Sequence, residues 1–230
     1  MSNDERPRAT IRLRPAPGTQ PRTGPQRAAP TPREVRRLPA GRADTVLTRS
    51  APQARITGRG VLQVNLNRPP GTGADLDLGC MAAFTDGTAA AVQPLGNNFG
   101  SLTRWPYMEL DQDDRTGASS DGETVRVDLE RRELFRQLLF HVYVYSGAVD
   151  FRSLGATATV TAPSGGFRIA LDDSPEGATG CAIALATPEE GGLVVGREVR
   201  WFTGTLRRSV QEQMDSAYGF GLSWVRMRKG

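Results

Sequence analysis

The sequence predicts an all-β fold, an antiparallel β-sandwich with one or two short helices, preceded by a disordered N-terminal arm. Three observations predict it: short β-rich runs at near-regular spacing from about Arg55, turn residues between them, and a change of composition near residue 50. Residues 1–50 hold 11 Arg against four acids (Asp4, Glu5, Glu34 and Asp44), with eight Pro and no aromatic. So little periodic apolar surface does not offset the entropy of ordering, and the arm is assigned to residues 1–52. The folded domain is assigned to residues 53–230. The first 50 residues carry a net +7 and the remainder a net −3, so the overall +4 averages a basic arm and an acidic body. A body of this size buries roughly 70% of its unfolded surface and needs no metal or disulfide merely to fold.

Within the body, Val61–Leu66 reads as a first strand and Ala74–Phe84 as a second, ending at the Asp86-Gly87 turn with Thr88–Gln93 as its hairpin partner. Tyr107–Leu110 leads into an acidic loop, and Glu123–Leu129 leaves it with alternating Val125 and Val127. Leu138–Tyr145, rich in Phe, Val and Tyr, reads as a central strand. Two further hairpins are expected, Ala156–Thr161 with Phe167–Leu171 across Pro163–Gly166, and Cys181–Ala186 with Val194–Phe202 across Pro188–Gly192. Glu130–Gln137 has helix-forming residues. Ser209 with Glu212 three residues on forms a capping box that opens a helix to about Ala217.

Composition removes several function classes. The longest apolar run, Leu138–Tyr145, is far short of the ~20 residues that span a bilayer, and the N-terminus lacks a secretory apolar core. A cytoplasmic protein is expected, with a basic arm able to hold it peripherally at the inner face of the membrane. Cys80 and Cys181 are too few for a zinc knuckle and too far apart in sequence to suggest a disulfide scaffold. They sit in apolar strand text, where Cys acts as a small buried hydrophobe. The single histidine, His141, shares a strand face with Tyr143 and Tyr145 and lacks a nucleophile motif, so a structural role is favoured. Gly96-Asn-Asn98 reads as a turn, and Tyr218-Gly-Phe-Gly221 with Trp224 as aromatic packing.

The densest chemistry runs from Glu109 to Glu123, where six carboxylates (Glu109, Asp111, Asp113, Asp114, Asp121 and Glu123) meet one Arg115. Two ionised groups at ~4 Å repel by roughly 4 kcal/mol at an effective dielectric near 20. Either the loop splays in water or a cation sits in it. All-oxygen donors suit Ca²⁺ better than Zn²⁺. In the strand Ala74-Asp-Leu-Asp-Leu78, Asp75 and Asp77 share one face and Leu76 and Leu78 the other, so the two aspartates form a wall opposite the loop. The spacing is not an EF-hand, since counting from Asp111 puts Thr116 at the glycine position and Gly122 at the final glutamate position. The alternative is a solvated acidic turn.

Five segments carry a resemblance: Ala74-Asp-Leu-Asp-Leu-Gly-Cys80, Leu95-Gly-Asn-Asn-Phe-Gly100, Leu110-Asp-Gln-Asp-Asp-Arg-Thr-Gly117, Cys181-Ala-Ile-Ala-Leu185 and Met214-Asp-Ser-Ala-Tyr-Gly-Phe-Gly-Leu-Ser-Trp224. In this order, over roughly residues 55–230, the sequence resembles the bacterial tellurium-resistance TerD family and its TerA-like branch. The resemblance implies a non-enzymatic, calcium-binding β-sandwich of a stress-response system, acting as sensor or scaffold with other tellurium-resistance proteins as partners. It maps metal ligation onto Asp75, Asp77, Asp113 and Asp114, with Thr116 and Gly117 in the loop motif. Asp111, Asp121 and Glu123 complete the candidate set. Ala118-Ser-Ser120 interrupts the denser acidic run of the family pattern. The rival readings are a metal-dependent hydrolase built on Asp113 and Asp114, and a metal-free interaction module. The arm lies outside the resemblance, and its Arg content suits polyanions without a specific nucleic-acid site, or is a flexible linker with a compositional Arg bias.

Overall fold

Side-chain alternation decides which face each strand buries. In a computed structural model that describes residues 9–11, 36–37, 45–69, 73–111 and 122–226, the strands are, in chain order, β1 (Ala9–Ile11), β2 (Arg36–Arg37), β3 (Thr45–Val46), β4 (Gln53–Thr57), β5 (Val61–Asn67), β6 (Asp75–Phe84), β7 (Ala89–Val92), β8 (Gly100–Ser101), β9 (Met108–Leu110) and β10 (Glu123–Asp128). They continue with β11 (Phe135–Ser146), β12 (Thr157–Ala162), β13 (Gly165–Ala170), β14 (Gly180–Glu189), β15 (Gly192–Phe202), helix α1 (Val210–Tyr218) and β16 (Trp224–Arg226). In β5, Leu62, Val64 and Leu66 are buried while Gln63 and Asn67 are exposed, the pattern of a strand covered on one side.

The strands form two seven-stranded sheets. One runs β3-β13-β12-β5-β10-β9-β8 and the other β2-β4-β15-β14-β11-β6-β7. Pairing is antiparallel except where β2 and β3 join β4 and β13 in parallel, and β1 pairs separately with β16. The sandwich expected from the sequence is therefore the fold, with additional short strands that the sequence does not mark, among them β2, β3 and β8. The main core lies between the sheets, around Phe135, Phe140, Phe151 and Phe167. Leu47 is buried in it at 2% exposure, so the packed region already includes residues ahead of position 53. Apart from β1, β2 and residues 45–52, the expected arm lies outside the described residues.

All ten residues of β6 are buried, because both faces of this strand are covered. Leu76, Leu78, Cys80, Ala82 and Phe84 face the main core. Met81 and Ala83 face a second core with Leu139, Tyr143, Phe202 and the α1 residues Val210 and Met214. Helix α1 thus packs on the outer face of the second sheet. It has the predicted capping box, since Ser209 accepts from the Glu212 N–H and donates its own N–H back to the Glu212 carboxylate. Gly219, at φ 73°, ends it. Gly180 in β14 lets it approach, because a Cβ there would lie 2.8 Å from Val210 Cβ.

Three expectations change. The helix expected over Glu130–Gln137 is a 3₁₀ helix over Leu129–Leu134, and Phe135 to Gln137 open β11 instead. Burying Phe135 against Phe84, 5.2 Å between ring centroids, outweighs the helix propensity of the segment. Pro188 lies inside β14, past the last β11 pair at Leu138–Ala186, where its missing N–H faces no neighbour on that side. The strand Gln53–Thr57 precedes Val61, so the latter is not the first strand of its sheet pair.

Candidate functional site

The candidate site lies along the first half of β6. β7 pairs with β6 only between Cys80 and Ala83, so residues 75–79 run on beyond that neighbour. Glu123, the first residue of β10 in the facing sheet, reaches into this gap and accepts a 2.6 Å hydrogen bond from the Leu78 N–H. On the other side, Asp77 pairs with Tyr143 and Asp75 with Ser146 across the β6–β11 ladder. Asp75, Asp77 and Glu123 are 5%, 0% and 2% exposed, so these three of the predicted site carboxylates are buried rather than fringing a solvated surface.

Both Asp77 and Glu123 act on Tyr143. Burial first, and the Asp77 carboxylate second, hold the Tyr143 phenol well above its ordinary pKa, with Glu123 adding to the effect. Buried carboxylates carry a desolvation cost, which hydrogen bonds such as that from the Leu78 N–H to Glu123 offset in part. Asp111 occupies a different position. It is exposed, and its carboxylate accepts from the Thr124 N–H at 2.9 Å and faces the Arg126 guanidinium at 3.4 Å, tying β9 to β10. Asp111, just past the end of β9, and Glu123, the first residue of the neighbouring β10, therefore stand on either side of segment 112–122. Asp113, Asp114 and Asp121, in that segment, lie outside the described residues. Among the described residues no three His, Cys, Asp or Glu side chains are grouped closely enough to hold a metal ion. The donor chemistry of Asp75, Asp77 and Glu123, all hard carboxylate oxygen, fits Ca²⁺, but these residues need further ligands from elsewhere.

The other residues marked in the sequence take structural places. His141 is fully buried, and burial pushes its imidazole down to about 4, a value fit for a neutral core group. Burial drives the Cys80 and Cys181 thiols far above their ordinary range, which keeps both unreactive. Asn97 adopts φ 55° and Gln93 bridges to Asn98, so Gly96-Asn-Asn98 is the expected turn. The sequence missed Asp215, whose buried carboxylate accepts from the N–H groups of Gly221 and Leu222 and from Trp224 Nε1. It also missed Gln211, 3% exposed beside Tyr143. Polar residues one helix away in sequence carry no local signal for this contact.

No family model matches the chain. It is 31% identical over 201 residues to the tellurium resistance protein TerA of an Alcaligenes species, an alignment covering 80% of this chain and 58% of that protein. The chain thus spans somewhat over half the length of that relative. Among solved structures, a homologue of telluride resistance protein TerD, SCO6318 from Streptomyces coelicolor A3(2), matches at TM-score 0.48 and 20% identity over 64% of this chain and 92% of that one. The unknown-function protein SAV2460 matches at 0.49 and 15% over 63% and 91%. The fold and site define a two-sheet β-sandwich with three buried carboxylates, Asp75, Asp77 and Glu123, on β6 and β10. By sequence, the chain is a relative of the tellurium-resistance TerD family, on its TerA side.

Proposed function

We propose that this domain is a non-enzymatic calcium-binding module of a tellurium-resistance stress response, working in the cytoplasm as a sensor or scaffold for related resistance proteins. The observation that carries the reading is the approach of Asp77 and Glu123, from opposite sheets, to one buried phenol beside the segment bounded by Asp111 and Glu123. Asp75, Asp77 and Glu123 would supply part of the shell, and Asp111, Asp113, Asp114 and Asp121 are the candidates for the rest. The ion would supply positive charge that offsets the carboxylate repulsion, so the bound form gains stability as RT ln(1 + [L]/Kd). His141 and both cysteines are buried and held in unreactive ionisation states, so a hydrolytic alternative would rest on Asp113 and Asp114 alone. No helix among the described residues is long and apolar enough to cross a membrane.

Calorimetric titration of Ca²⁺, with Mg²⁺ as control, into chelator-stripped protein tests the reading. Saturable Ca²⁺ binding with a raised Tm is expected in the wild type, and loss of both in Asp77→Asn/Glu123→Gln. The Gln side chain keeps an acceptor for the Leu78 N–H, so the variant removes charge with little change of shape. Absence of binding up to ~1 mM, the weak end of protein calcium sites, would leave an acidic interaction face as the better account.

A further inference from the structure

We propose that one end of the sandwich docks on an anionic lipid surface, with Val149 and Leu206 entering its apolar boundary and arginines meeting the headgroups. Among the described residues, Val149 at 75% and Leu206 at 74% are the most exposed large apolar side chains. They stand on two loops that flank one cleft of about 290 Å³, since Val149 and Thr205 both line it. Single exposed aliphatics are ordinary on a protein surface, but two at the mouth of one opening form a patch. Both loops are anchored. The Thr179 carbonyl accepts from the Val144 N–H at 2.9 Å, and its hydroxyl accepts from the Gly204 N–H at 3.1 Å, so one residue ties the two together. Thr205 and Arg208 close a turn on each other, the Thr205 N–H on the Arg208 carbonyl and the Arg208 N–H on the Thr205 hydroxyl, which puts Leu206 and Arg207 at its tip. Turn tips ordinarily take Gly, Pro, Asn, Asp or Ser. On the other loop the buried Asp150 accepts from the Arg152 and Gly177 N–H groups at 3.0 and 3.1 Å, fixing the residue next to Val149.

Charge selects the partner. Arg207 and Arg208, both exposed, follow Leu206 directly. Arg152 lies at this end too, but Glu176 faces it at 3.6 Å and offsets it. The larger charge belongs to the arm, whose residues 1–35 hold seven Arg against Asp4, Glu5 and Glu34. That segment joins the fold at the same end. β4 starts opposite Gly196 and finishes opposite Gly192, so its start faces the end of β15 that leads into Gly204. β2 runs parallel to β4 with Arg36 opposite Ala54, and its own start therefore lies at that end. A basic segment combined with an apolar insertion holds a protein at a bilayer more firmly than either alone. A protein partner would need only the apolar tips, whereas the arm's charge beside them favours a lipid surface. The carboxylates of the calcium reading share this end, since Asp75 faces Ser146. They repel anionic lipid, so a bound cation would strengthen docking, but the tips and the arginines are present without it.

The test is co-sedimentation of the full chain with vesicles of phosphatidylcholine alone and of phosphatidylcholine with about 30% phosphatidylglycerol, each in chelator and in ~1 mM Ca²⁺. Binding to the anionic vesicles in one or both conditions is expected, weakening as salt rises. Val149→Ser/Leu206→Ser should lose about tenfold or more in affinity, the effect of withdrawing two aliphatic side chains from an apolar phase. Equal binding in that variant, equal binding to the neutral vesicles, or no binding in either condition overturns the proposal, the last leaving the patch to a protein partner. Leu206→Trp reads insertion directly. Its emission, taken as the difference from wild type, should shift to the blue on the anionic vesicles, and an unshifted difference spectrum overturns insertion even if the double variant fails to fold. Calorimetry of Ca²⁺ without vesicles reports on the calcium reading separately, so the two can fail independently.

Discussion

His141 is the residue whose ionisation is most at odds with its surroundings. It faces Gly79 across the β6–β11 ladder, and a Cβ at Gly79 would lie 2.7 Å from imidazole Cε1 and Nε2 and 2.9 Å from the Val92 carbonyl oxygen. The ring fills space that only glycine leaves, and it stacks on Tyr143 at 6.3 Å between centroids. Burial, partly opposed by the Leu139 backbone, lowers its pKa from 6.5 to about 4. Between these values the unfolded chain takes up a proton that the native protein refuses. The contribution to stability is therefore complete above pH 6.5 and is lost as pH falls towards 4, by about 3 kcal/mol. Denaturant unfolding at pH 7, 5.5 and 4.5 should show a steeper loss in wild type than in His141→Gln, and parallel slopes would refute it. The period-two pattern already put His141 on the face of Tyr143. Its partner across the ladder was not legible, because Gly79 becomes a neighbour only once the pairing register is fixed.

Among the elements, α1 and the turn behind it depend on one carboxylate. Asp215, 7% exposed, accepts from Gly221 N at 2.8 Å, Leu222 N at 3.1 Å and Trp224 Nε1 at 2.8 Å, folding the Gly219–Trp224 segment back over the last turn of the helix. Asp215→Ala leaves three donors without that acceptor and should cost about 2–4 kcal/mol, whereas Asp215→Asn, which retains one carbonyl oxygen, should cost less. Urea unfolding followed by far-UV circular dichroism measures both, and equal small losses would show that water substitutes freely. The sequence displayed the capping box and the aromatic run from Tyr218 to Trp224 but not the hub between them. Caps are local in sequence, while Asp215 acts on residues six to nine positions ahead through a glycine turn. The same limit explains β11, since Phe135 joins a strand through its contact with Phe84, which the local helix propensity of Glu130–Gln137 does not register.

At the scale of the whole molecule, charge and fold divide along the chain. The two-sheet architecture was legible because hairpin turns and alternation are local, and Asp75, Asp77 and Glu123 were legible as carboxylates that share a region. That Glu123 would cross from one sheet to the other was not, since nothing in its neighbourhood marks the gap beyond β7 that it fills. The basic arm gives a separate expectation. Removing residues 1–44 takes away every Arg of the first 50 residues except Arg49, which pairs with Asp173 at 2.5 Å. Retention on heparin at low salt should be lost in that variant and fall steeply with salt in the full chain. Retention unchanged by the deletion would assign polyanion binding to the body instead. The same segment has a consequence for solubility. β2 and β3 each occupy the outermost position of one sheet, and they stand only eight residues apart in sequence. A short stretch of chain thereby shields two open ladders that would otherwise template the addition of a foreign strand. Proteolytic trimming past Val46 would uncover both ladders at once, turning a self-contained sandwich into one prone to stacking with its copies.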